Sequence, residues 1–220
     1  MTTGKVKVLI IGGTGGLGSG LVANLESDYE ITSMGSNDLN ILDVDNLRAF
    51  FQKYEAEVIL NVSGYNYDCL LHRYDDKNFN EIDKQIDIVV KGNVNLLNAC
   101  LPGMRSRGYG RIILTSSILV SKPVAGTGVY SASKAFVEGL VKACSVENAF
   151  KGITASAIQV GYFDAGLTHR IPSKLQDSIL NQLPTSRWGT IEELASVVRL
   201  LIENAYLNGT TIKINGGAEF

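Results

Sequence analysis

Two side chains set four residues apart could exchange a proton. Tyr130 and Lys134 lie in the stretch GVYSASKAFVEGLV, Gly128–Val141, whose apolar residues recur at helical spacing. Residues i and i+4 share one helical face, so the phenol and the ammonium point into the same space. A cation beside a phenol favours the phenolate and draws its pKa down from about 10. A phenol tuned in that way donates or accepts a proton near neutral pH. On its own the pair is equally an amphipathic helix with a surface lysine. Ser117, thirteen residues before Tyr130, closes the apolar run Arg111–Thr115 and its Ser116-Ser117 ending. A hydroxyl placed there could hold a carbonyl oxygen or a developing alkoxide.

These three residues need a scaffold, and the first third of the chain reads as one. Val6–Ile11 is a continuous apolar run, expected as a strand buried on both faces. It runs into Gly12-Gly13-Thr14-Gly15-Gly16-Leu17-Gly18, and a helix follows over roughly Leu17–Leu25. A strand, a glycine loop and a helix in that order form the setting of a dinucleotide site. Glycines let backbone N–H groups approach a pyrophosphate, and the helix N-terminus adds partial positive charge. Gly12, Thr14, Gly15, Gly16, Leu17 and Gly18 are the candidate contacts.

Tyr29–Met34 reads as the second strand, with Gly35-Ser36-Asn37-Asp38 after it. No carboxylate stands at the strand end itself, and Ser36 and Asn37 could donate to a 2′-phosphate. NADP is therefore the expected cofactor, with NAD as the alternative. Leu39–Leu42 reads as a short strand. Asp43 either caps a helix beginning at Val44 or accepts from an adenine amino group. Glu57–Val62 is the next buried strand, ending in Asn61, Val62, Ser63 and Gly64, where a ligand could approach the backbone. The polar, aromatic segment Tyr65–Asp76 reads as a loop or short helix beside the site, with His72 on the surface. Phe79–Met104 has long helical periodicity and is expected to stop at Pro102-Gly103.

The bulk properties agree with one globular domain over residues 1–220. The chain has 45% hydrophobic residues and a net charge of −2, which gives no reason to expect nucleic acid or an anionic membrane as partner. Its three cysteines, Cys69, Cys100 and Cys144, lack metal-site or disulfide spacing and read as small buried hydrophobes in a reducing compartment. No signal-peptide pattern and no run near the ~20 residues of a membrane span is evident, so the cytoplasm is expected. No metal site is expected.

Taken together, Gly12-x-x-x-Gly16-x-Gly18, Asn61-Val62-Ser63-Gly64, Ser117 and Tyr130-Ser131-Ala132-Ser133-Lys134 stand in one order over essentially the whole chain. In this the chain resembles the short-chain dehydrogenase/reductase family, in its single-domain branch, and is similar to 3-oxoacyl-carrier-protein reductases. Arg187-Trp188-Gly189, Glu192–Ala195 and Asn208–Gly217 are similar to that family's closing helix, strand and Gly-Gly. The resemblance implies a doubly wound α/β Rossmann fold with a mostly parallel sheet of about seven strands. It implies that Ser117 holds the substrate carbonyl, Tyr130 passes it a proton, and Lys134 lowers the tyrosine pKa and holds the nicotinamide ribose. Gly161 and Phe163 would contact the cofactor, and Gly161–Trp188 would form a lid with an apolar lining of Tyr162, Phe163, Leu167, His169 and Ile171.

The implied function is NAD(P)-dependent transfer of hydride between nicotinamide and a ketone or secondary alcohol, on a small or carrier-bound carbonyl substrate. A homodimer or homotetramer built on the helices near Phe79–Met104 and Gly128–Phe150 goes with it. The chain departs from the family where an asparagine supporting a proton relay is usual and Val89 stands; Asn93, one turn later, is the candidate substitute. A threonine that often contacts the cofactor carboxamide is replaced near Ala165. These departures raise a second reading, a cofactor-binding protein with little catalysis. The stretches Asp38–Asp43 and Ala56–Asn61 are similar to nucleotide-sugar reductases and raise a third, a sugar or nucleotide-sugar reductase.

Overall fold

The computed structural model describes residues 4–219. Six strands form one parallel sheet in the order β2-β1-β3-β4-β5-β6: β1 Lys7–Ile11, β2 Glu30–Met34, β3 Val58–Asn61, β4 Gly110–Ser117, β5 Ile153–Val160 and β6 Thr211–Ile214. The strand that follows β2 in the chain pairs on the other side of β1, in register Val8 with Val58 through Ile11 with Asn61. That reversal opens a crevice at the carboxyl ends of β1 and β3, the usual ligand position in such sheets. β4 and β5 are buried along their whole length, as strands covered on both faces must be.

Helices cover the sheet from both sides. On one face α2 (Val44–Lys53), α4 (Gly92–Arg107) and α5 (Gly128–Asn148) bury Leu47, Leu96, Val137 and Val141 against Leu9, Ile59 and Ile112. On the other, α1 (Gly16–Leu25) and α7 (Ile191–Glu203) bury Leu21, Leu25, Leu194 and Val198 against Val8, Ile10 and Leu60. α3 (Phe79–Ile86) and α6 (Ser173–Gln182) complete the set. α7 begins with a reciprocal cap: Thr190 Oγ1 accepts from Glu193 N, and Glu193 accepts from Thr190 N.

Two expectations about elements are corrected. The sheet has six strands among the described residues, because Leu39–Leu42 forms turns. Its backbone bonds close locally, Leu39 N to Gly35 O and Asp43 N to Asn40 O, while Leu39 and Ile41 bury their side chains in the core. Apolar content there reflects packing below the chain and not pairing beside it. Nor does Pro102-Gly103 stop its helix. α4 runs through Pro102 to Arg107 and ends at Gly108, whose φ of 70° is the left-handed cap conformation. Pro102 removes a bond only from the carbonyl of Asn98, an exposed residue whose backbone water can serve. Between α3 and α4 the chain makes a π-turn over Asp87–Lys91.

Candidate active site

The crevice is built first from backbone. Gly12, at the end of β1, has φ 80°, and a Cβ there would fall 2.7 Å from Ser63 N. Only glycine fits, and it lets the loops after β1 and β3 touch. Gly12 N and Gly13 N both donate to Met34 O, at 2.8 and 3.2 Å, which folds the loop back over β2. α1 then starts with Gly15 as its cap residue, with no side-chain cap and no acidic residue in its first turn. By contrast, α2 is capped by Asp43, whose Oδ1 accepts from Asn46 N at 3.0 Å. The open first turn of α1 leaves N–H groups and the positive helix end facing the crevice, a fit for a pyrophosphate. A Cβ on Gly16 would fall 2.6 Å from Gly166 Cα, so the segment after β5 presses directly on this loop.

A cavity of about 630 Å³ extends from this loop across the ends of β3, β4 and β5. Ser117, Tyr130 and Lys134 all line it, and all three are buried. β4 delivers Ser117 as its last residue, and the first two turns of α5 deliver Tyr130 and Lys134. Ser117 Oγ accepts from Leu119 N at 3.2 Å, which fixes the hydroxyl at the strand end. Lys134 Nζ lies 5.8 Å from the Tyr130 ring centroid and donates to Thr115 O at 2.9 Å.

The electrostatics differ from the expectation that Lys134 pulls the phenol down. Burial pushes Tyr130 up to about 12, against a smaller downward pull from the Ser117 hydroxyl, and Asp68 adds to the rise. Burial draws Lys134 down to about 8. Removal from water disfavours both charged forms and outweighs their mutual influence. The phenol is thus held as an acid at neutral pH, and the lysine titrates within reach of it.

Behind Lys134 runs a chain of buried polar groups. Thr115 Oγ1 donates to Asn61 O at 3.1 Å. Asn61 Oδ1 accepts from Ser63 N and Ser63 Oγ at 3.0 and 2.6 Å, and Asn61 Nδ2 donates to Asn93 Oδ1 at 2.9 Å. Asn93 Nδ2 closes the run by donating to Val89 O at 2.7 Å. Val89 itself is core. The π-turn directly before α4 occupies the same stretch, a deformation that recurs at functional sites.

The remaining expected residues fall into two groups. Gly12, Gly15, Gly16, Leu17, Gly18, Val62, Ser63, Gly64, Gly161 and Phe163 line the cavity. Thr14, Ser36, Asn37, Asp43, Val44 and Asn61 do not. Asn61 lies buried beneath the floor, and Thr14 packs beside Gly35. Ser36 and Asn37 are exposed on the turn after β2, where the Asp38 carboxylate accepts from Gly35 N at 2.8 Å.

The segment after β5 contributes Tyr162, Leu167, His169 and Ile171 as expected, together with Leu175 and Ile179 of α6. His169 Nε2 pairs with Asp164 Oδ1 at 2.8 Å. Thr127 and Thr168 also line the cavity and were not expected; neither carries a sequence signal beyond its position near an element start. Asn66 and Asp68 were legible only as part of a polar loop. Among the described residues, no metal-ligand cluster is present and no helix is long and apolar enough to cross a membrane.

A family model described as enoyl-(acyl carrier protein) reductase matches residues 24–219. The chain is 31% identical to a 3-oxoacyl-acyl-carrier-protein reductase of Rickettsia typhi, over 98% of this chain and 97% of that protein. It is 36% identical to an acetoacetyl-CoA reductase of Rhizobium meliloti, over 75% of this chain and 68% of that one. A solved small-chain dehydrogenase in complex with NADPH superposes with a TM-score of 0.85 at 25% identity, covering 98% of this chain and 99% of the other.

Proposed function

Because the chain belongs to the short-chain dehydrogenase/reductase family, we propose that Ser117, Tyr130 and Lys134 carry out NAD(P)-dependent reduction of a ketone, or the reverse oxidation. The observation that carries this reading is the convergence of the three side chains on one cavity that also holds the uncapped start of α1. The glycine loop would hold the cofactor pyrophosphate, and the ends of β3 and β5 its nicotinamide half. Bound nicotinamide supplies the hydride; the protein supplies orientation and the proton. Ser117 Oγ donates to the substrate carbonyl oxygen. Tyr130, kept protonated by burial, passes its proton to that oxygen as charge develops. Lys134 is placed to contact the nicotinamide ribose and to return a proton to Tyr130. Asn93 and Asn61 hold Thr115 and Ser63 around it.

NADPH is the expected cofactor, since the one carboxylate near the end of β2 is turned onto Gly35 N. Tighter binding of NADH than NADPH would contradict this. The named relatives suggest thioester-linked 3-oxo substrates. Assembly into a homodimer or homotetramer through α4 and α5 is supported by Val94, Phe136 and Val146 on these helices and Phe150 just after α5, which are large apolar residues left exposed. Cytoplasmic residence is the expected location.

Tyr130→Phe tests the reading. It is expected to lower kcat by roughly 10²–10⁴-fold, the range of a positioned general acid, while NADPH fluorescence still reports cofactor binding. Wild-type protein that binds NADPH and turns over no ketone across acyl and sugar panels would favour the non-catalytic reading instead.

A further inference from the structure

Within the ketoreductase reading, on which this inference rests, Ser117 must hold its place relative to Tyr130 and Lys134, although they come from different elements. Ser117 ends β4, and the other two ride on α5. The seam between β4, β5 and α5 is apolar for most of its length: Ile112 and Leu114 of β4 and Ala155 and Ala157 of β5 share one core with Val137 and Val141. At its cavity end the seam turns polar. Side chains alternate along a strand, so Ser116 follows Ile112 and Leu114 onto the face that α5 covers. Gln159 stands opposite Ser116 in the β4–β5 register. Both are buried, with 3% and 1% of their surface exposed.

Glu138, one helical turn after Lys134, meets both of them with a single oxygen. Ser116 Oγ donates to Glu138 Oε1 at 2.6 Å, and Gln159 Nε2 donates to the same atom at 3.0 Å. Ser116 Oγ also lies 3.3 Å from Lys134 O, but its one hydrogen goes to the nearer, charged acceptor. Gln159 carries the connection further, since its Oε1 accepts from Ser121 Oγ at 3.1 Å. Ser121 closes the short turn Ile118–Val120, in which Leu119 N donates to Ser117 Oγ. The cluster therefore grips the chain on both sides of Ser117, at Ser116 and at Ser121. It ties that chain to the part of α5 that carries Lys134. Buried polar networks whose members are paired in this way make a junction rigid.

We propose that Glu138 is a positioning residue for the reduction: through Ser116 and Gln159 it holds Ser117 in register with Tyr130 and Lys134. It acts by accepting hydrogen bonds and not by lending charge to Lys134, whose ammonium is bonded to Thr115 O. A small misplacement of a reacting group costs rate steeply. The cofactor cradle lies apart from this clamp. It is backbone at Gly12–Gly18, and α1 packs on the other face of the sheet. Loosening the clamp therefore lowers turnover and spares NADPH binding.

The test assays the full chain with NADPH on a panel of acyl and sugar ketones, beside Glu138→Leu, Glu138→Gln and Ser116→Ala. Glu138→Leu is expected to lower kcat by about tenfold or more, while the NADPH dissociation constant read by fluorescence moves less than about threefold. Glu138→Gln keeps an oxygen for both donors and is expected to recover most of that loss. Ser116→Ala is expected to lower kcat several-fold, and to add little on top of Glu138→Leu, because both cut the same connection. Should Glu138→Leu not fold, Ser116→Ala and Glu138→Gln carry the comparison. A fall in kcat matched by an equal fall in the number of NADPH sites per chain marks a purely structural role and overturns the inference. So does Glu138→Gln as slow as Glu138→Leu, which puts the effect in the charge. Ketone reduction that Tyr130→Phe abolishes and that neither Ser116→Ala nor Glu138→Leu moves overturns this inference alone. Wild-type protein that binds NADPH and reduces no ketone overturns the ketoreductase reading, and this inference falls with it.

Discussion

The two ends of the cleft are made of different material. The cofactor end is backbone: Gly12 against Ser63, Gly16 against Gly166, and the bare first turn of α1. The substrate end is side chain: Asn66, Asp68, Leu167, Ile171 and the residues of α6. A pyrophosphate is the same in every dinucleotide, so a surface of N–H groups and helix dipole serves it without side chains. A substrate is told from its competitors by side-chain shape and hydrogen-bonding, and the two ends meet where Gly166 packs on Gly16.

Substitutions at either end can break this contrast. The largest effect is expected at Gly12. Gly12→Val forces a branched residue into φ 80° and into Ser63 N at 2.7 Å, and NADPH binding measured by fluorescence should be lost together with a large drop in thermal stability. Binding at wild-type affinity would show that the loop is not the cradle described. Asn93→Leu comes next. It strips Asn61 Nδ2 of its partner and Val89 O of a side-chain donor and is expected to cost about 1–3 kcal/mol in urea unfolding. The same change should shift the pH profile of kcat, through Thr115 and Lys134, whereas a purely structural role would leave the profile where it was. Asn93→Asp, which keeps the acceptor, is expected to recover part of both.

Lys134→Met gives the smallest effect on stability and the one with a definite pH signature. The folded-state pKa of Lys134 is depressed to about 8 from 10.5. Below pH 8 both folded and unfolded chains carry the proton, and the full cost of the buried charge is present. Between pH 8 and 10.5 the unfolded chain binds the proton that the folded one has released, so stability rises with pH. Lys134→Met should therefore melt a few degrees higher than wild type at pH 6–7, with the advantage fading by pH 10. Tyr130, shifted upward to about 12, costs stability only above pH 10. A constant difference across pH 6–10 would mean that Lys134 is not desolvated in the fold.

The backbone end was the readable one. Gly12, Gly16 and Gly18 after an apolar run announce a turn that side chains cannot enter, and Ser117, Tyr130 and Lys134 sit at the ends and on the face of local elements. Asp43 was recognisable as a possible helix cap for the same reason: a cap is decided within four residues. What failed depended on distant parts of the chain. Leu39 and Ile41 are buried by α4 and its neighbours, and nothing local separates such residues from a strand. The rise in the Tyr130 pKa comes from burial, which spacing does not reveal. Asn93 was a candidate by position alone, and its partners Asn61 and Val89 meet it only in the folded chain. The segment carrying Asn66 and Asp68 is placed by Gln85 and Gly126, distant residues that accept from Tyr67 N and Cys69 N.

The missing seventh strand has a consequence at the rim of the sheet. With Leu39–Leu42 folded into turns, β2 pairs among the described residues with β1 alone, and its outer side is an edge. An edge strand offers unpaired N–H and C=O groups to any extended chain that drifts past, and natural sheets blunt such edges. Here the edge is five residues long, opens on the exposed Glu30, and has Thr32 tied to Tyr54 of the α2 C-terminus at 2.8 Å. Shortness, a charge and a side-chain tether together discourage strand addition, so a sheet that ends one strand early remains guarded against edge-to-edge pairing.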